Sequence, residues 1–155
     1  MSIRRGNPSD CDAVAALIAS FQPLLTRDPG GAGAEQYLAS VSASAERQYV
    51  ASSRYMYLVY EHEGDIAGFI AMRDRTHLFH LFVAAPHQHR GIARALWHEA
   101  RDWAHQGAAA CEFTVNSSLN AVRVYERFGF VAVGTALEAH GIAFQPMRLT
   151  SQREN

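Results

Sequence analysis

The segment Pro86-His87-Gln88-His89-Arg90-Gly91-Ile92-Ala93 carries the residue types that hold an anion. It joins an apolar run, His77 to Ala84, to a run with helical spacing. Its backbone N–H groups therefore sit at a helix start, with the positive end of the helix dipole behind them. Gly91 and Ala93 keep that backbone approachable, and His89, Arg90 and Arg94 gather polar or positive side chains around it. A phosphate suits such a turn, although an ordinary strand-to-helix connection with solvated arginines has the same composition. A second group follows in Asn120 and Tyr125. On a helical wheel of about 100° per residue they flank an arc of Ala121, Val124 and Phe128 that is expected to face the core. They are open to two readings, as ligand contacts or as a cap residue and a core tyrosine. His80 has an intrinsic pKa suited to proton transfer. On a regular strand it shares one face with Leu78 and Phe82, while His77, Phe79, Leu81 and Val83 take the other. Asp74 and Glu112 are weaker candidates for a base.

Composition narrows the chemistry. The chain has 155 residues, 48% hydrophobic and 19% charged, which fits one globular domain over residues 1–150 and a polar tail over 151–155. Basic and acidic residues number 14 and 15, and the net charge of −1 argues against a nucleic-acid binder. All 14 basic residues are arginine, so lysine Schiff bases and Walker-type phosphate loops are excluded. Cys11 and Cys111 are too few for a disulfide framework or a thiolate zinc site. Six of the eight histidines fall between His77 and His105. His77 and His80 point to opposite strand faces, and His98 and His105 are two helical turns apart, so no metal site is expected. The N-terminus has no apolar signal region and no stretch reaches the roughly 18 apolar residues of a membrane helix, so no membrane partner and a cytoplasmic location are expected.

The elements that position these residues can be read from periodicity. Ile3 to Arg5 reads as a short strand. Ser9 and Asp12 read as a capping box, with Cys11, Val14, Leu17, Ile18 and Phe21 at helical spacing after it. Pro23 to Gly33 is a loop, and one helix is expected from Glu35 to about Gln48. Tyr55–Glu61 and Ile66–Arg73 form a hairpin around Glu63-Gly64-Asp65, followed by the His77–Ala84 strand. The clearest helix runs from Gly91 to Gln106. Its buried stripe should be Ile92, Ala95, Leu96, Ala100, Trp103 and Ala104, with Arg94, His98, Arg101 and His105 opposite. Ala110–Val115, Val131–Leu137 and Ile142–Leu149 are further strands, and Asn120–Phe128 is a short helix. The strand–helix–strand order across 77–128 implies a right-handed crossover, hence two parallel strands at the centre of a mixed sheet. Ligands bind where the carboxyl ends of such strands diverge.

Gln88-His89-Arg90-Gly91-Ile92-Ala93 resembles the Q/R-x-x-G-x-G/A motif of the GNAT superfamily of N-acetyltransferases, with Leu81-Phe82-Val83 and Pro86 at the usual spacing before it. Asn116 to Phe130, with Asn120, Ala121, Arg123, Tyr125, Gly129 and Phe130, is similar to the family's second signature. Ile3-Arg4-Arg5 and Ser9-x-x-Asp12 are similar to its usual start. Ala93 stands where glycine is commoner, which the family tolerates. The resemblance implies an α/β (α+β) fold: a mixed, mostly antiparallel sheet of about seven strands with a central parallel pair, flanked by about four helices. It implies acetyl-CoA as co-substrate and direct acetyl transfer to a primary amine of a small molecule, peptide or protein. The coenzyme would meet Leu81, Phe82, Val83, Gln88, His89, Arg90, Gly91, Ile92, Ala93, Arg94, Asn120 and Arg123. Tyr125 would protonate the departing thiolate, and His80 would be the base. A coenzyme A-binding regulatory module without catalysis is the alternative, and a homodimer is left open. Acceptor preference is expected in Pro23–Gly33, the helix after it and Glu138–Gly141, with Tyr37, Tyr49 and Tyr55 on that side.

Overall fold

A computed structural model describes residues 2–152. Eight strands form one sheet: β1 (Ser2–Arg5), β2 (Tyr55–His62), β3 (Asp65–Arg73), β4 (His77–Val83), β5 (Ala110–Ser118), β6 (Val131–Ala132), β7 (Leu137–Ala139) and β8 (Ile142–Gln152). Their order is β1-β2-β3-β4-β5-β8-β6, with β7 also on β8. All pairs are antiparallel except β4 with β5, so the mixed sheet and its central parallel pair are as expected. Among the described residues six α-helices accompany it: α1 (Cys11–Ala19), α2 (Gln22–Leu25), α3 (Glu35–Ser40), α4 (Ala43–Ala51), α5 (Ile92–Ala104) and α6 (Val122–Phe128). Among the described residues no helix is long and apolar enough to cross a membrane.

Several expectations change in detail. The first cap is built two residues earlier, by Asn7 and Asp10 around a 3-10 turn at Pro8–Asp10, and not by Ser9 and Asp12. Asp10 is recruited there because Arg4 grips both of its carboxylate oxygens, at 2.8 and 2.9 Å. The single helix over 35–48 is two helices. The Ser42 side chain accepts the Ala45 N–H and so starts a new helix, in which Glu46 is fully buried. In α5 the buried stripe is Ile92, Leu96, Trp97, Ala100 and Ala104. Trp97, not Trp103, packs inside, with ring centroids 5.0 Å from Phe113 and 5.4 Å from Phe130. His105 is buried rather than facing solvent, held between Ser151 at 3.0 Å and the Ala108 carbonyl. The 131–137 strand breaks into β6 and β7 opposite Pro146 of β8, which has no N–H for the ladder. The Gln145 amide instead donates to the Gly134 carbonyl at 3.2 Å. The expected tail begins too early: Ser151 and Gln152 are still paired with β5, and residues 153–155 lie outside the described residues.

The strand faces of β4 also differ from a regular alternation. Ala71 pairs with His80 but Met72 with Leu78, so Phe79 is an extra, bulged residue. The bulge changes the phase of the pleat. Leu78 joins the core under α5 and α6, whereas Phe79 and Phe82 pack into the core under α1 and α4. His80 faces that second core, beside Phe82, Phe69 and Tyr57.

Candidate active site

The site begins where β4 and β5 part. They pair only at His77–Thr114 and Leu78–Val115, so beyond Leu78 the β5-facing edge of β4 is open. Ala84 N–H donates to Ala67 of β3 at 2.8 Å. Antiparallel ladders alternate, so Phe82 and His80 also bond toward β3, and Leu81 and Val83 turn N–H and C=O into the gap. The Gln88 side-chain amide, donating to the Val83 carbonyl at 3.0 Å, confirms that direction. Gly68 of β3 lies directly behind this edge: a Cβ there would sit 2.9 Å from the Phe82 carbonyl oxygen.

A cleft of about 430 Å3 fills the gap. One end is the turn before α5. Gly91 is the helix cap at φ +80°, and no side chain among the described residues takes the free N–H groups. Ala95 is the first residue whose N–H bonds back, to Gly91 at 3.0 Å, which leaves the N–H groups of Ile92, Ala93 and Arg94 without helical partners. A Cβ on Gly91 would meet nothing within 4 Å, so space above the turn is open. His89 also has positive φ, +64°, a conformation costing a side-chain-bearing residue about 1 kcal/mol or more. The charged or titratable side chains lining the cleft are His87, His89, Arg94, Arg127 and Tyr125, with no carboxylate among the lining residues. Neither Arg94 nor Arg127 is ion-paired with a described residue, so their charges face the cleft uncompensated.

The chain matches the family model described as an acetyltransferase (GNAT) domain over residues 25–151. The chain belongs to the GNAT acetyltransferase family. No curated protein sequence matches it. Among solved structures, it superposes on an N-acetyltransferase from Rhodopseudomonas palustris at TM-score 0.69 and 23% identity, over 95% of this chain and 93% of that one. The PaiA N-acetyltransferase of Thermoplasma acidophilum, solved with coenzyme A, gives 0.67 and 18%, over 96% and 98%. An aminoglycoside 6'-N-acetyltransferase complexed with coenzyme A gives 0.71 and 15%, over all of both chains. At these identities the likeness is one of fold.

In this GNAT chain the cleft brings together Leu81, Phe82, Val83, Gln88, His89, Gly91, Ile92, Ala93, Arg94, Asn120 and Tyr125 from the sequence-derived set. Arg90 and Arg123 are exposed and not part of its lining; Arg127, one helical turn beyond Arg123, takes that place. Phe21 and Leu25 line it too, marked by no motif, as do His87 of the Pro86–Ala93 segment and Ser118 of the Asn116–Phe130 segment, neither of which was singled out as a coenzyme contact. The α6 arc is rotated from the expected one. Tyr125 is the buried residue of the helix, while Val124 and Phe128 line the cleft. Burial pushes the Tyr125 phenol well above its ordinary value. Its hydroxyl has no hydrogen-bond partner among the described residues.

His80 lies one ring behind the cleft wall. Its ring centroid is 6.0 Å from that of Phe82, which lines the cleft and packs on Phe21 at 5.6 Å. Asp74 is engaged by Arg54 in the β3–β4 turn, and Glu112 is exposed near the start of β5, so neither weaker base candidate is at the site. On the α1–α4 side, Leu25 also lines a second cavity of about 390 Å3 with Ala15, Ala16, Tyr37 and Val41. Tyr49 and Tyr55 pack edge-on against Phe79 instead. The two loops expected to govern acceptors are joined: Arg27 N–H donates to Gly141 at 2.8 Å, Thr26 bridges Ile142, and Arg27 pairs with Glu138.

Proposed function

We propose that this chain transfers the acetyl group of acetyl-CoA directly to a primary amine of a small molecule or peptide. The observation that carries the proposal is the joining of an open strand edge, Leu81 to Val83, to an uncapped helix start in one carboxylate-free cationic cleft. A long ligand with a pyrophosphate at one end and an amide-rich arm fits that combination. Coenzyme A is the ligand in the solved complexes of the Thermoplasma PaiA and the aminoglycoside enzyme, which supports the same assignment here.

The chemistry follows from the groups at hand. The inward N–H groups of Leu81 and Val83 would stabilise the oxyanion formed when an amine nitrogen adds to the thioester carbonyl. Collapse breaks the C–S bond. Tyr125 would hydrogen-bond the departing thiolate and hand it a proton late, because even an ordinary phenol is about 1.5 pKa units less acidic than a thiol and burial widens that gap. His80 would take the amine proton through water.

The test is release of free thiol from acetyl-CoA across a panel of amines, with the acetylated product identified by mass spectrometry. Amine-dependent release supports the transferase. Binding of acetyl-CoA with no release for any amine would instead establish the non-catalytic coenzyme module.

A further inference from the structure

Glu46 is fully buried, yet no arginine among the described residues pairs with it. Its Oε1 lies 2.8 Å from His80 Nε2, and its Oε2 accepts a short hydrogen bond from the Tyr57 hydroxyl. The three residues come from α4, β4 and β2, and all are nearly inaccessible: His80 is 7% exposed and Tyr57 3%. Nothing in the sequence motifs marks Glu46 or Tyr57.

The surroundings define where the proton must be. Cys11 of α1, Tyr37 of α3, Tyr49 of α4 and Tyr57 of β2 are all pushed up, by burial first and by the Glu46 charge second. Tyr57 therefore stays a donor. Beside His80, the hydrophobic residues that β3 and β4 bring to this core are Ile66, Phe69, Ala71, Phe79 and Phe82. Of the nearby cations, Arg47 is bound to Asp12 and Arg73 lies over Phe79. His80 is thus the one basic partner of the carboxylate among the described residues. A carboxylate only accepts hydrogen bonds, so the hydrogen between the pair is carried by Nε2. Among the described residues no fully buried side-chain nitrogen or oxygen lacks a partner, and His80 Nδ1 has none there, so Nδ1 keeps some accessible surface.

We propose that Glu46 is a positioning residue: with Tyr57 anchoring its second oxygen, it holds His80 as the Nε2–H tautomer and presents the Nδ1 lone pair as the base for the acceptor amine. This rests on the transferase reading above. When Nδ1 takes the amine proton through water, the imidazolium that forms is stabilised by the adjacent carboxylate, an arrangement in which a third group orients the base. The helix break at Ser42 gains a purpose from it, since the new helix is what turns Glu46 inward.

Two measurements test this. First, ring 15N NMR of the wild-type protein, with His80 assigned by comparison with His80→Gln, should show Nε2 protonated and Nδ1 as the free nitrogen at neutral pH. A protonated Nδ1 overturns the proposal whether or not an acceptor is known. Second, pH profiles of kcat/KM should be compared between wild type and Glu46→Gln. Loss of the carboxylate should lower kcat by about a hundredfold and move the acidic limb to lower pH, with acetyl-CoA affinity within about twofold of wild type. A merely structural glutamate would leave the limb where it is. An active wild type whose Glu46→Gln variant keeps both kcat and limb overturns the dyad alone. A wild type that releases no thiol with any amine overturns the transferase reading and, with it, the catalytic role assigned here.

Discussion

The strand edge that faces the cleft is held in place from behind by Gly68, and adding one methyl group there should displace it. In Gly68→Ala the new Cβ would stand 2.9 Å from the Phe82 carbonyl oxygen, 3.2 Å from Val83 Cγ2 and 3.4 Å from Ile92 Cγ2. An ordinary carbon–oxygen contact is about 3.3 Å or longer, so β4 must retreat by roughly 0.4 Å. The contact is with backbone, which has no rotamer to escape into. Overpacking of this kind costs about 1–3 kcal/mol. Replacing a strand glycine by alanine returns about 0.5–1 kcal/mol of backbone entropy, leaving a net loss of about 1 kcal/mol within a range of about 0–2.5. The same shift displaces the groups of Leu81 and Val83 toward the cleft, where they crowd a ligand lying along the edge and no longer align with it. Weakening two hydrogen bonds of about 1 kcal/mol each by half or more lowers affinity by about fivefold or more. Urea unfolding should show a reduced midpoint at unchanged slope, and calorimetry the loss of acetyl-CoA affinity. A variant as stable as wild type with the same affinity would refute the claim that this edge forms the wall of the binding cleft.

Two further outcomes follow from the same geometry. Tyr125→Phe should lower turnover by about a hundredfold or more while changing acetyl-CoA affinity less than about twofold, as read by thiol release and calorimetry; full activity would remove the proton-donor role. His77 is held down to about 4, chiefly by burial and then by Arg73. The unfolded chain therefore binds a proton that the folded chain refuses between pH about 6.5 and about 4, and stability should fall as pH is lowered through that window. His77→Gln should flatten the acid side of a plot of urea midpoint against pH, and an identical slope would show that His77 is not the group responsible.

The parts of this molecule that were legible in sequence are those governed by local chemistry. The turn from Gln88 to Ala93 combines a strand exit, a glycine and a helix start within a few residues, and the cleft lies there. Tyr125 and Asn120 follow from helical spacing, although the α6 face was rotated because Tyr125, not Val124, fills the core. What was hidden depends on events between distant segments. The Phe79 bulge has no composition of its own, yet it moves His80 to a different face from Leu78. Glu46 reads as a surface glutamate on a continuous helix until Ser42 interrupts that helix and Tyr57 and His80 approach from other strands. Trp97 and His105 were misplaced for a related reason: helix periodicity gives a stripe, but β5 and β8 decide its exact rotation.

The most direct test is a calorimetric titration of acetyl-CoA into wild type and into Gly91→Glu. The substitution puts a carboxylate into the open space above the uncapped α5 start and costs the fold about 1–2 kcal/mol at φ +80°. The wild type should bind one acetyl-CoA per chain, and the folded variant should bind none measurably. Equal affinity in the two proteins would contradict the assignment of this cleft.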